Sequence, residues 1–133
     1  QVLTFLWRAA GQPTVKTSPP IADVNPGDYY YMAGYWAQSL GIFDRALYPN
    51  TSSNRMGAVY FIWCAAGKPE CKVRLRFTDT KDPKYEKYYE AIAWAVDNGI
   101  TSGTSADTFS PGKSCTRAEI VTFLWRAASK GLI

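Results

Sequence analysis

The stretch "TRAEIVTFLWRAA", Thr116 to Ala128, nearly restates the opening "QVLTFLWRAA", Gln1 to Ala10. A third version lies between them. Aligned on "FLWRAAGQP" (Phe5 to Pro13), "FIWCAAGKP" (Phe61 to Pro69) and "FLWRAASKG" (Phe123 to Gly131), the copies are 56 and then 62 residues apart. Self-similarity of this kind marks a repeat architecture. In the last copy Ile120, Val121, Leu124, Ala127 and Ala128 fall on one stripe of a 3.6-residue period, so the segment reads as an amphipathic helix. Upstream, "YYMAGYWAQSLGI" (Tyr30 to Ile42) pairs with "YYEAIAWAVDNGI" (Tyr88 to Ile100), where Tyr88, Ile92, Ala95 and Val96 share a face and Asn98-Gly99 is a stop signal. "IADV" at Ile21 pairs with "FTDT" at Phe77. Each full unit is thus an Asp-containing lead-in, a helix, a Gly-Ile turn, a Pro-containing loop and a second helix. Neither helix buries enough surface alone, so neighbouring copies are expected to share a core. The expectation is an all-α fold with three final helices in pseudo-three-fold packing.

A length of 133 residues suits one compact domain. No apolar run approaches the roughly 20 residues that cross a bilayer, so no membrane insertion is expected. No basic-then-apolar leader is present, and Gln1 reads as the start of a mature or cut product. The net charge of +4 favours an anionic partner or is simply a solvated surface. Histidine is absent, which removes the commonest general base and metal ligand; no cofactor and no metal are expected. The basic residues are scattered, with "KVRLR" at Lys72 too short to indicate nucleic-acid binding. Cys64 and Cys71 flank "AAGKPE", so a disulfide closing the loop after a helix is feasible in an oxidising compartment; Cys115 is then left over as a small, partly buried residue.

Thr116 and Glu119 form the Thr-x-x-Glu capping box of a helix start. Arg117 has no place in that device, because a cation in the first turn faces the positive end of the helix dipole. The middle copy, "NRMG", keeps a cap at Asn54 and the arginine at Arg55 while Gly57 replaces the glutamate. An arginine at a helix start, beside free backbone N–H groups and the loop "TSGTSADTFSPGKSC", suits a carboxylate or phosphate. The competing reading is a salt bridge to Asp23 or Asp79 in the lead-in segments.

The order "FTD…YYEAIAWAVDNGITSGTSADTFSPGKSCTRAEIVTFLWRAA" resembles the S-layer homology repeat of bacterial cell-surface proteins, over Phe77 to Ala128. The resemblance implies a single domain over 1–133: 1–13 the last helix of a truncated first repeat, 21–69 a divergent second repeat, and 77–131 a well-matched third. It further implies non-catalytic anchoring outside the cell, in the wall or S-layer of a Gram-positive-type bacterium. The ligand is then a secondary cell-wall polymer, or another peptidoglycan-linked polysaccharide, bound through an acidic, pyruvylated sugar in a groove between repeats. By the same resemblance Arg117, and Arg55 after it, contact the acidic sugar. Gly103, Thr104, Ser105 and Asp107 lie in the loop expected to meet sugar hydroxyls, and Trp94 or Trp36 is either an apolar floor or core. The second repeat lacks the Gly103-Thr104-Ser105 stretch and is four residues shorter, so one competent site, at most two, is expected.

Two other classes compete with anchoring. An enzyme needs paired carboxylates across a cleft, for which Asp79, Asp107 and Glu119 are the candidates, but Glu119 is already used in capping. A protein-interaction or self-association module rests on "YYYMAGYW", Tyr29 to Trp36, rich in interface aromatics. Trp7, Trp63 and Trp125, at equivalent places, read as packing between units or as ligand stacking. "NTS" at Asn50 matches a glycosylation acceptor and is read as loop composition.

Overall fold

The structure, a computed structural model, describes residues 2–40 and 54–133; the side chains of residues 2, 3 and 117 lie outside the described set. The second repeat's loop, with its Gly41-Ile42 turn and Asn50, falls in 41–53 and lies outside the described residues. The described chain is helical, with α1 Val2–Ala9, α2 Tyr31–Ser39, α3 Arg55–Ala65, α4 Glu86–Asp97 and α5 Arg117–Ser129. Two short 3₁₀ turns, Thr78–Thr80 and Pro83–Tyr85, precede α4. Among the described residues there is no strand, and Asn54 and Ser114 form an isolated bridge. The all-α expectation holds.

Two compact units, Gln1–Thr51 and Ser52–Ile133, make up the chain. In the first, α1 packs on α2. Ile21, Val24 and Tyr35 form a small core with Val15, Tyr30 and Tyr31 against it. The Tyr35 hydroxyl accepts from the Ile21 backbone N–H at 3.1 Å, and Gln38 Nε2 donates to the Pro19 carbonyl at 2.9 Å, so the lead-in is stitched to α2. Half of "YYYMAGYW" is buried, namely Ala33, Gly34, Tyr35 and Trp36, whereas Tyr29 is 68% exposed.

In the second unit α3 packs against both α4 and α5. Its core joins Val59, Ile62 and Trp63 of α3, Ile92 and Trp94 of α4, and Ile120, Phe123 and Leu124 of α5. Leu75, Phe77, Ile100 and Phe109 from the connecting segments complete it. Each such side chain contributes about 1.5–3 kcal/mol by leaving water. Tyr60 meets Tyr88 edge-on at 5.2 Å, tying α3 to α4. Helix pairing crosses the repeat boundary in both units. The last helix of one copy packs on the first helix of the next, which is how units that cannot bury their own faces acquire a core.

Helix ends explain a difference between the copies. After α3, Gly67 takes φ +91°, a left-handed conformation that favours glycine, and the chain folds back so that Trp63 Nε1 donates to the Pro69 carbonyl at 2.8 Å. Trp7 makes the same bond to Pro13 at 2.9 Å. In the last copy serine stands where that glycine was, α5 runs on to Ser129, and the left-handed glycine is Gly131. Trp125 is left 69% exposed, beside exposed Val121.

The Cys64–Cys71 disulfide considered from sequence is not formed: Cys64, Cys71 and Cys115 are free. Cys64 is buried on α3 and hydrogen-bonds Tyr60. Cys71 lies past the fold-back that Trp63 anchors, with its backbone N–H on Glu90 Oε2 at 3.3 Å. Burial pushes the Cys64 thiol up, and burial with the Glu119 charge takes Cys115 to about 11.

Candidate functional site

The loop from Ile100 to Pro111 organises the second unit's surface. Asp79, the acid of "FTDT", accepts the Phe109 N–H at 2.9 Å on one carboxylate oxygen and the Ser110 N–H at 2.8 Å on the other. Phe77 and Phe109, both fully buried, meet at 5.7 Å beneath that clamp. Gly103 sits over the Phe77 ring at φ +94°, where a Cβ would lie 2.6 Å from a ring carbon and 2.7 Å from the Thr108 carbonyl oxygen. Only glycine fits both the dihedral and the space. Thr104 Oγ1 lies 2.9 Å from Thr108 Oγ1 and 2.7 Å from Ser110 Oγ, and Ser105 Oγ lies 2.7 Å from Thr108 Oγ1. The hydroxyls that sequence reading assigned to a ligand are thus joined within the loop, and the Asp107 carbonyl accepts from the Thr78 N–H at 2.8 Å.

Three arginines from three elements converge on Ile100-Thr101-Ser102. Arg126 of α5 donates from Nη1 to the Ile100 carbonyl at 2.9 Å. Arg55 of α3 donates from Nη2 to Thr101 Oγ1 at 3.2 Å. Arg76, ahead of the lead-in, donates from Nη2 to the Ser102 carbonyl at 2.8 Å. Arg55 is the buried member, 4% exposed. Its Nε donates to the Phe109 carbonyl at 2.8 Å, its Nη1 meets Glu119 Oε2 at 2.6 Å, and the Phe109 and Phe123 rings lie 5.0 and 5.6 Å from its Cζ.

Glu119 therefore has two tasks. With Thr116 it closes the expected capping box, Thr116 Oγ1 accepting from the Glu119 N–H at 3.1 Å and Glu119 Oε1 from the Thr116 N–H at 3.2 Å. Its other oxygen compensates the arginine that sits unfavourably in the first turn of α3. Burial alone would raise the Glu119 carboxyl; hydrogen bonds from Thr116 and Arg55 outweigh it and hold the group below its ordinary value. The ion pair thus joins Arg55 to α5 in place of Asp23 or Asp79. At the start of α3 the backbone donors are also engaged: the Arg55 and Met56 N–H groups reach the Lys113 and Pro111 carbonyls at 2.9 and 3.2 Å, and the Gly57 N–H reaches Asn54 Oδ1 at 2.8 Å.

A groove of about 340 Å³ opens beside this cluster. Arg55, Glu119 and Arg126 bound it, Thr101, Ser102 and Gly103 form one wall, and Ala118, Thr122 and Phe123 of α5 form the other. Of the residues expected from sequence, Arg55 and Gly103 line it. Thr104, Ser105 and Asp107 belong to the loop behind. Trp94 is 4% exposed in the core of α4, and Trp36 is buried in the other unit. Arg117 opens α5, one residue before Ala118 of the groove wall; its side chain lies outside the described residues. Sequence reading missed Arg76, Thr101, Ser102 and Arg126. The recurrence of arginine at Arg8 and Arg126 in "FLWRAA" was the available signal.

The second unit is thus a helical repeat module with a cationic surface groove. Residues 76–121 match the family profile of the S-layer homology domain, and that segment is such a domain. A 55-residue stretch is 42% identical to the surface-layer 125 kDa protein of Lysinibacillus sphaericus, covering 41% of this chain and 4% of that protein. Arg55 and Arg126 of the groove lie outside residues 76–121, the span of the family profile. Among the described residues no helix is long and apolar enough to cross a membrane.

Proposed function

We propose that the chain is a non-catalytic cell-surface anchoring module whose groove takes the acidic sugar of a secondary cell-wall polymer. The observation that carries this reading is the convergence of Arg55, Arg76 and Arg126 on one three-residue segment with a single carboxylate, Glu119, among them. Arg55 is neutralised by Glu119, so Arg126 is the groove cation left to pair with an incoming oxyanion. Thr101, Ser102 and Thr122 supply hydroxyls, Phe123 an apolar floor, and Gly103 lets the loop lie close to the groove. Arg117, at the rim by its place in α5, is the further oxyanion ligand that the family resemblance assigns. The S-layer homology match and the surface-layer relative support a wall-facing role.

The test is co-sedimentation with Gram-positive walls before and after chemical removal of the secondary polymer. Retention that disappears on stripping, and that Arg126→Gln reduces at unchanged helix content, is the expected result. Equal retention on stripped walls would sink the polymer reading. The exposed Trp125–Val121 face of α5 favours a second reading, self-association, which size-exclusion chromatography of wild type and Trp125→Ser distinguishes.

A further inference from the structure

A second cavity, of about 470 Å³, adjoins the groove and shares Thr101, Ser102 and Arg126 with it; Arg76, Val96 and Gly99 complete its lining. No acidic side chain is among these residues. Arg76 is held in place by Nε to the Ala106 carbonyl at 2.9 Å, Nη2 to the Ser102 carbonyl at 2.8 Å and the Phe77 ring 4.7 Å below its Cζ. Among the described residues the Arg126 guanidinium has one hydrogen bond, to the Ile100 carbonyl. Neither guanidinium has an acidic partner among the described residues, and each keeps N–H donors open. A third cation stands at the edge: Lys130 Nζ donates to the Asn98 carbonyl at 2.6 Å and lies 2.7 Å from where a Cβ on Gly99 would be.

Positive groups without counter-charges, ordered by backbone carbonyls around one cavity, are a prepared site for an oxyanion. Arg126 and Arg76 are tethered to carbonyls two residues apart, at most about 7 Å along an extended chain, a span that one sugar ring and its linkage bridge. Resting on the wall-polymer reading above, we propose that Arg76 and Lys130 form a second anion subsite beside Arg126. It takes the next acidic group of the same polymer, carboxylate or phosphate, so that the chain prefers ligands with two charges over those with one.

The test uses the whole chain and secondary polymer released from Gram-positive walls, fractionated into fragments with one acidic group and with two or more. Wild type is expected to bind the multiply charged fragments about ten-fold more tightly, the increment of one added charge-assisted contact. Arg76→Gln removes that preference, weakening binding of the multiply charged fragments far more than that of the singly charged ones, while Arg76→Lys keeps most of it. Lys130→Gln, at an exposed position away from the loop, reduces the preference by about two- to three-fold, as expected for a peripheral cation. Amidating carboxylates with a carbodiimide and a neutral amine, or removing phosphate esters with hydrofluoric acid, abolishes the preference in whichever arm removes the recognised oxyanion; loss in neither arm overturns the proposal. Unchanged preference in Arg76→Gln also overturns it while leaving wall binding standing. Equal weakening toward both fragment classes, shared by Arg76→Lys, makes Arg76 a loop brace and overturns it too. Failure of wild type to bind either fragment instead overturns the wall-polymer reading on which the subsite depends.

Discussion

Asp79→Ala removes the carboxylate that holds the groove-forming loop, and its cost follows from the two bonds at 2.9 and 2.8 Å. Both Phe109 and Ser110 N–H groups lose a charged acceptor. Phe109 is fully buried beneath the clamp, so its amide is poorly placed to recover a water. A hydrogen bond to a charged group contributes about 1.5–3 kcal/mol, and the partial burial of both bonds sets the expectation near about 3–4 kcal/mol in total. For a unit of roughly 80 residues, at about 4–8 °C per kcal/mol, the melting temperature should fall by about 12–30 °C. Asp79→Asn keeps one acceptor and turns an amide donor toward the other N–H, so it should cost about half or more of that amount. Thermal unfolding followed by far-ultraviolet circular dichroism, with the midpoint in urea as a second measure, reads both variants. Wall retention should fall with the loop, since Thr101, Ser102 and Gly103 lie at its start. An Asp79→Ala protein within about 0.5 kcal/mol of wild type would refute the reasoning, because an exposed, dispensable carboxylate behaves that way.

Gly103→Ala places a methyl group against Phe77 and the Thr108 carbonyl at positive φ; about 2–4 kcal/mol of destabilisation is expected by chemical denaturation, and a neutral result would contradict the close approach. Glu119→Gln preserves the capping box but removes the charge opposite Arg55. Because the folded Glu119 pKa is depressed, its contribution is fully present above the ordinary value of 4.5 and is lost as pH falls through the lower folded value, so wild type and variant should differ at pH 7 and converge in acid. A gap that persists unchanged at low pH would exclude the ion pair as its source. Thiol titration in denaturant without reductant should count three free cysteines, and a count of one would restore the Cys64–Cys71 bridge. Native Cys115, with its pKa near 11, should alkylate slowly at pH 8. Trp125→Phe should remove the most readily quenched part of the tryptophan emission, whereas Trp63→Phe should leave it in place.

The helices were legible before any coordinates, since periodic apolar residues, the Thr116–Glu119 capping box, the Asn54 cap and the Asn98-Gly99 stop all act within one turn of chain. The repeat was legible too, and with it the need for one copy to pack on another. Sequence also placed an arginine where a helix start disfavours it, at Arg117 and again at Arg55. The partner that compensates Arg55 was out of reach. Glu119 lies 64 positions away and already had a sufficient local role, so nothing in the linear pattern pointed to its second bond. Likewise Asp79 read as a candidate acid or ion-pair partner until the fold set two backbone N–H groups across from it. Thr104 and Ser105 read as ligand hydroxyls until the loop closed on itself. The groove is a property of convergence: Arg55 on α3, Arg76 in the segment before the first 3₁₀ turn and Arg126 on α5 are far apart in sequence and meet only because the fold brings all three to the same three backbone positions. Short-range chemistry, written in neighbouring residues, determined the helices and their ends. The charge arrangement at the surface depended on side chains that burial and chain crossing bring together, and only the tertiary structure decided that.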